Sequence, residues 1–384
     1  MHGTIESIFR VEWRPLIELG AIAAQWRELA GRALEPNVFY EPSFALAAAP
    51  VLGGGGGAGL VWSRSPEPRL LGFFPARIDR RRYGIPLAVL VGWTHPYGPL
   101  GAPLVDREMG EAVIGAWLDH VSSHPQLPKL MLLSYFPENG ALAQALDAVL
   151  ARRGSGGACF ARHVRALLVP GRDRASYLDA SVGRKRRKEF GRQRRRLGDN
   201  GTVTSSSTGD PSAIARALDD FLALEAGGWK GRAGTAARSN PDIVKFMAMA
   251  VAALAGEGKA QIGRLCIDAR PIAAMITLQS GASAWGWKIA YDEGFARFSP
   301  GVQLLLDVTQ TVLDDPTITR ADSCATADHP MIDRIWRERL TLTDRLLLSG
   351  PGTSLRFALA SRLESLRRTA IGGAKALRDR LRGR

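Results

Sequence analysis

The 384-residue chain is short of cysteine, of acidic charge and of long apolar runs, and each shortage excludes something. Its three cysteines, Cys159, Cys266 and Cys324, stand far apart in small or apolar company. That argues against a disulfide framework or a CxxC metal knuckle and suits buried thiols in a reducing compartment. No stretch of about 18 uninterrupted apolar residues occurs, so no transmembrane helix is expected. Met1 to Trp13 carries Glu6, Arg10 and Glu12 among its apolar residues and is not patterned as a signal peptide. No G-x-S-x-G elbow, Walker A loop or Rossmann glycine fingerprint is present. His120 and His124 have i,i+4 spacing, but the HExxH pattern is missing and Pro125 ends the helix, so no metal site is expected.

What is there is basic charge and enough apolar residues for two cores. Lys and Arg number 51 against 37 Asp and Glu, a formal +14. Such a balance attracts anionic partners, although an Arg-rich composition accounts for the overall excess equally well. It does not account for the clustering. Nine of the thirteen positions Arg184–Arg196 are Lys or Arg, with Leu178, Val182, Phe190 and Leu197 as a narrow apolar stripe. A solvated face, a nucleic-acid contact and a membrane contact all fit that pattern. Phe190 is its single aromatic, which argues against a platform for single-stranded nucleic acid. A second basic surface comes from Arg362, Arg367, Arg368, Arg378, Arg380, Arg382 and Arg384. Its apolar partners Leu355, Phe357, Leu359, Leu363 and Leu366 suit a helix that docks on the protein or on a bilayer.

The periodicity gives two halves and a tail: 1–157, 158–350 and a basic helical tail 351–384. In the first half, helices are expected at Leu16–Ala33, near Ser43–Ala49, at Glu108–Ser122 and at Ala141–Arg152. Strands are expected at Leu60–Trp62, Leu70–Ile78, Ala88–Val91 and Lys129–Ser134, with Gly53–Gly59 as a flexible connector. In the second half, a strand at Ala166–Val169 precedes a long basic helix, Arg174–Leu197. Helices follow at Pro211–Ala226, capped by Asp210, and at Asp242–Ala255. Strands Ala260–Ile267, Arg270–Ser280 and Ser283–Ala290 come next. The helix Gly301–Leu313, a strand near Ile318–Asp322, a helix His329–Arg339 and a strand Leu340–Leu348 complete it. Each half mixes helices with meander-like strands, which is neither doubly wound nor all-β.

The sharpest local signal is the strand Trp285–Tyr291, a loop with Arg297, and Ser299-Pro300-Gly301 opening an apolar helix. Ser299 is placed to cap that helix, Pro300 fits its first turn, and Gly301 leaves room for a ligand at the backbone. Free N–H groups at a helix start attract phosphate, and the same tripeptide is also a common helix opening. Lys288, between Trp287 and Ile289, must face solvent, a partner or a ligand. Glu225 stands before Gly227-Gly228-Trp229-Lys230, as a proton acceptor for an amine or as the ion-pair partner of Lys230 or Arg232. Trp229 reads as a pocket wall or as core. Tyr291, at the strand end, is a candidate proton donor to a leaving thiolate. Asp322, with Asp328 and His329 beyond it, forms a polar cluster after a buried strand, and Asp328 is also a natural cap for the helix opened by His329.

Four stretches carry a resemblance: Ser181–Leu197, Phe221–Thr235, Trp285–Gly301 and Asp322–Trp336. In order and spacing they resemble the GNAT-type acyltransferases grouped with the cellulose-biosynthesis protein CelD and the BioF2-like acetyltransferase domain, distant relatives of the Fem-type aminoacyltransferases. Phe39-Tyr40-Glu41-Pro42 and Tyr97-Gly98-Pro99-Leu100-Gly101 add weaker likeness. The resemblance implies an α/β (α+β) architecture of tandem GNAT-like domains, each a mixed, largely antiparallel sheet flanked by helices. It implies acyl transfer from acetyl-CoA or another acyl-CoA to an amine on a small molecule or sugar, in the cytoplasm or at the inner face of an anionic membrane. Ile289, Arg297, Ser299, Gly301 and Val302 would meet the donor. Glu225, Lys288, Tyr291 and Asp322 would serve catalysis, and Trp229, Lys230 and Trp287 the acceptor. The family's phosphate loop is richer in Gly and Arg, and Fem-type relatives use aminoacyl-tRNA. The rival reading is therefore a GNAT scaffold without catalysis that binds nucleic acid or a membrane through its basic helices.

Overall fold

The computed structural model describes residues 8–171, 174 and 176–382, and the side chains of Arg378, Arg380, Arg382 and Arg384 lie outside the described residues. In chain order the first elements are β1 (Phe9–Pro15), α1 (Ala23–Gly31), α2 (Pro42–Leu52), β2 (Gly57–Ser63), β3 (Leu70–Asp79), β4 (Val89–Gly92) and β5 (Leu104–Val105). They are followed by α3 (Gly110–Ser123), β6 (Leu130–Pro137), α4 (Ala141–Arg153) and β7 (Gly157–Leu168). Next come α5 (Tyr177–Ser181), α6 (Arg184–Gly198), β8 (Val203–Thr208), α7 (Ile214–Gly227), α8 (Trp229–Arg232) and α9 (Pro241–Gly256). The chain ends with β9 (Ala260–Ile267), β10 (Arg270–Ser280), β11 (Ser283–Tyr291), α10 (Pro300–Asp314), β12 (Arg320–Asp322), β13 (Glu338–Leu348) and α11 (Leu355–Arg382). Among the described residues no helix is long and apolar enough to cross a membrane.

The chain forms two compact units that do not follow the linear division at 157/158 and 350/351. One contains the described parts of Met1–Asn37, Leu52–His163 and Thr341–Arg384; the other is Val38–Val51 with Val164–Leu340. Both use one plan, a mixed and largely antiparallel sheet flanked by helices. In the first unit the antiparallel meander β1-β2-β3-β4 meets β6 in parallel, and β6 pairs antiparallel with β13. In the second, the meander β8-β9-β10-β11 meets β12 in parallel, and β12 pairs antiparallel with β7. A helix, α3 or α10, connects the two parallel strands in each case. The duplication is thus real at the level of topology.

Local chemistry explains the boundaries. Asn240 caps α9 by accepting the Asp242 N–H at 3.0 Å, with Pro241 in the first turn. Gly154, at φ 59°, ends α4 in the left-handed region open to glycine. The glycine run is not simply a connector, because Gly57 and Gly59 lie in β2. A Cβ on Gly59 would lie 2.2 Å from the Trp117 ring, so glycine there is what lets α3 pack on the sheet.

Other expectations are corrected. Leu16–Ile22 is a 3₁₀ turn ahead of α1. The basic helix is broken at Val182-Gly183 into α5 and α6. Helix α7 begins at Ile214, and Asp210 instead accepts the Ser212 N–H in the preceding turn. No helix spans His329–Arg339: only a 3₁₀ turn, Ile332–Arg334, forms there, and Asp328 at φ 57° caps nothing. Ile332, Ile335 and Trp336 are buried with helix-like spacing, which is why the pattern misleads.

In the second unit one core joins Leu197, Leu265, Met275, Leu304, Leu305 and Trp336. Val182 and Leu197 are buried in it, and Leu178 and Phe190 pack against it. The apolar stripe of α5 and α6 is therefore spent on the protein, not on a bilayer. An aromatic cluster joins Phe44, Phe246 and Trp287, with Phe44 ring centroids 5.3 and 5.6 Å from the other two. The Phe39-Tyr40-Glu41-Pro42 stretch belongs here as well. Buried Glu41 accepts hydrogen bonds from Ser280 at 2.6 Å and from Lys259 at 2.8 Å.

Candidate active site

The site grows from a mismatch in strand length. β11 pairs with β12 over only three residues, Ser283–Trp285 against Arg320–Asp322, and then runs on to Tyr291. β12 stops because the chain turns away at Ser323-Cys324. Asp322 Oδ1 accepts the Cys324 N–H at 2.9 Å, and Cys324 sits at φ 52°. Arg165 donates to Asp322 Oδ2, and both side chains are buried. Gly286–Tyr291 consequently presents a strand edge that β12 does not cover.

A bulge marks the same stretch. The β10 register steps from Ile276 opposite Lys288 to Thr277 opposite Gly286, so Trp287 is the extra residue. Trp287 is 4% exposed and packs edge-on against Phe44 and Phe246, which makes it core and not an acceptor contact. Lys288, next to it, is largely buried. Burial holds its ammonium well below the usual lysine range, at about 8, and the positive charge of Lys230 adds to that, while Glu225 opposes it.

A small open cleft adjoins the end of β11, lined among others by Glu225, Trp229, Lys230, Ile289, Tyr291 and Glu293. α7 supplies Glu225. The chain then folds back tightly into α8, a turn that needs glycine at 231, where a Cβ would lie 1.8 Å from the Ala226 carbonyl oxygen. Glu293 accepts the Trp229 N–H at 2.8 Å and pairs with Arg232 at 2.5 Å, and these bonds hold its carboxyl below the usual range. Trp229 itself is 59% exposed at the cleft and is not core.

Neither carboxylate read as a base is idle. Glu225 Oε1 accepts from Lys230 at 2.6 Å and Oε2 from the Ala237 N–H at 2.8 Å, so the ion-pair reading describes it. Both oxygens of Asp322 are engaged by Arg165 and Cys324. The helix start also differs from expectation. Ser299 is in the left-handed region, φ 53°, and its side chain makes no cap. Its carbonyl accepts the N–H groups of Val302 and Gln303 at 3.0 and 3.1 Å. Gly301 is buried, and a Cβ there would lie 3.0 Å from the Tyr291 ring and 3.2 Å from Met331 Sδ. A larger residue would fit only if the Tyr291 and Met331 side chains gave way by a few tenths of an ångström. Arg297 is exposed, its guanidinium 4.6 Å from the Phe298 ring centroid. His329 is half-buried away from any helix, and burial lowers its pKa.

The structure thus brings Glu225, Trp229, Lys230, Ile289 and Tyr291 to one cleft, with Lys288 electrostatically coupled to Glu225 and Lys230. Residues missed in the sequence are Arg165, Cys324 and Glu293. Arg165 carried the same signal as Lys288, a cation inside an apolar strand.

Residues 184–329 match the family model described as an acetyltransferase (GNAT) domain. The match covers well under half of the chain and is a likeness of that stretch to a GNAT domain. No curated protein matches the sequence. Among solved structures, FemX superposes with a TM-score of 0.54 at 10% identity, over 85% of this chain and 95% of that one. L-PGS from Bacillus licheniformis superposes with a TM-score of 0.50 at 11% identity, over 91% and 98%. At such identities the likeness is one of fold. The fold is shared with these structures, and the stretch 184–329 is similar to the GNAT acetyltransferase family.

Proposed function

We propose that the protein is an N-acyltransferase that moves an acyl group from an acyl-CoA-type thioester to an amine, at the uncovered edge of β11. The observation that carries this reading is that edge, Gly286–Tyr291, beside a cleft lined by Glu225, Lys230 and Tyr291, with largely buried Lys288 on the same strand coupled to Glu225 and Lys230. A strand edge that β12 leaves uncovered suits the amides of a pantetheine arm, which bond to backbone as an added strand would. The diphosphate end finds less: Arg297 and the first turn of α10, with the Val302 and Gln303 N–H groups already committed to Ser299. When bound, the donor supplies an activated carbonyl.

The chain's own groups do the rest. Backbone N–H groups on the β11 edge polarise a carbonyl placed against them, an effect strengthened by exclusion of water. Lys288, neutral for part of the time near pH 8, takes the proton that the attacking ammonium must lose. Glu225 and Lys230 set the charge around it, and Asp322 with Arg165 fixes the turn that ends β12. Trp229 gives the acceptor an exposed aromatic wall. Tyr291, which lines the cleft, returns a proton to the leaving thiolate. The acceptor is an amine on a small molecule or a sugar of envelope metabolism, and a thioester donor of this kind places the reaction in the cytoplasm.

Melting the protein with CoA and a panel of acyl-CoAs tests the reading, since a ligand that binds only the folded state raises Tm. A rise of several degrees with at least one acyl-CoA is expected. No shift with any, together with tight binding of tRNA or duplex DNA that survives physiological salt, would transfer the fold to the binding-scaffold reading.

A further inference from the structure

Helix α11 has two apolar faces, and the protein uses one. On the inner face, Ala360 and Glu364 are fully buried, and Phe357 packs on Gly156 and the cluster around Val89, Leu130 and Leu346. Glu364 receives a bidentate pair from Arg82 at 2.9 and 3.0 Å and a third contact from Arg368 at 2.8 Å. Arg368 continues to Asp344 at 2.7 Å. A carboxylate this buried, met by the guanidiniums of Arg82 and Arg368 and, at 3.9 Å, of Arg367, fixes the rotation of the helix about its axis.

That rotation decides what the other face does. Leu355, Leu359 and Leu366 follow a spacing of four and seven, which puts them in one stripe. At about 100° per residue the stripe lies opposite Ala360 and Glu364. The three leucines are 91%, 46% and 66% exposed. Arg362 lies within the same stripe, with Arg356 and Arg367 along one side, all three exposed. The tail from Thr353 to Arg384 holds nine Lys and Arg against Glu364 and Asp379.

We propose that this outer face of α11 docks the protein on an anionic bilayer surface. Leucines in a line, framed by guanidiniums that can reach outward to phosphate while their stems lie on the acyl chains, match an interfacial helix. The occupant is read from charge: a surface this cationic favours an anionic lipid layer and disfavours a second copy of the same face. The proposal is independent of the acyltransferase reading, since it uses no residue of the cleft.

The test is sedimentation of the full chain with vesicles of phosphatidylglycerol and phosphatidylcholine, against phosphatidylcholine alone. Binding to the anionic vesicles is expected, falling as salt screens it. The exposed Leu355→Ser/Leu359→Ser/Leu366→Ser variant should keep the wild-type melt and lose affinity by about tenfold per leucine inserted. Arg356→Gln/Arg362→Gln/Arg367→Gln should remove the preference for anionic vesicles. Absence of anionic-vesicle binding at low salt overturns the proposal. So does binding that the leucine variant leaves unchanged. A dimer seen by analytical ultracentrifugation that dissolves in the leucine variant, with vesicle binding intact, would assign the face to self-association instead.

Discussion

Replacing Lys288 by Met separates the cost of a buried cation from its use. The methionine keeps the length of the stem and removes the charge. Lys288 titrates at about 8 in the folded protein, against the usual 10.5. Each pH unit between the two is worth about 1.4 kcal/mol, so holding this ammonium costs the fold about 3 kcal/mol at pH 7. The sign follows from proton counting. The folded pKa is depressed, so between about 8 and 10.5 the unfolded chain binds more protons and stability rises with pH. Roughly 2.5 kcal/mol of the penalty is gone by pH 10. Lys288→Met should therefore melt higher than wild type at pH 7, by up to roughly 6–12 °C for a unit of this size. The gap should nearly close at pH 10. The same variant should lose on the order of 10²–10⁴ in turnover while still binding the donor. Differential scanning calorimetry at the two pH values, paired with a thiol-release assay, reads both. A variant that melts lower at pH 7, or a gap that does not shrink with pH, would refute the reasoning.

Three further outcomes follow from the same geometry. Glu225→Gln removes the negative charge that favours the Lys288 ammonium, so the acid limb of the pH–rate profile should move to lower pH. It should also cost about 1–3 kcal/mol, because Lys230 loses its buried partner yet keeps some water, and denaturant melts will show it. Arg165→Leu leaves Asp322 buried and uncompensated, which should cost about 3–5 kcal/mol, with part recovered in the Arg165→Leu/Asp322→Asn double variant. Arg297→Gln touches an exposed side chain and should change Tm little, whereas calorimetric titration should show CoA affinity down roughly tenfold if Arg297 meets its phosphates.

The sequence was most legible where one physical signal dominated. β9, β10 and β11 alternate or run apolar between tight turns, and their bounds fall within a residue or so of expectation. β8 was invisible because Thr204–Thr208 is all hydroxyl side chains on an edge strand, with no apolar face to show a period. The first half of β7 was missed because Arg162, His163 and Arg165 interrupt it, and their charges are answered by Glu138, Asp344 and Asp322, partners far off in sequence. In the site, alternation along β11 implied a regular strand. The bulge at Trp287 breaks that alternation, so Trp287 goes to the core while Lys288 stays beside Glu225 and Lys230. Ser299 and Gly301 show the limit of motif reading. Ser-Pro-Gly does open the helix, but the serine bends the backbone and the glycine makes room for Tyr291.

The excess of positive charge resolves into cations with different duties. On α6, Arg187, Arg192 and Arg194 pair with Asp179, Glu189 and Asp307. Arg184, Lys185, Arg186, Lys188, Arg195 and Arg196 carry no ion pair among the described residues and are exposed. Because the apolar stripe of this helix is consumed by the core, the row cannot enter a bilayer, and it acts as a fixed field over the unit that also holds the cleft. Such a field raises the local concentration of a multiply charged donor and its encounter rate more than it holds the bound state. Affinity then depends on the few groups that touch the ligand, which in the proposed reading are Arg297 and one helix turn. On α11 the balance is reversed, since exposed leucines accompany the cations and a surface with both depth and charge is the better match. Two basic helices of similar composition are thus told apart by where their apolar residues go, and only a structure decides that.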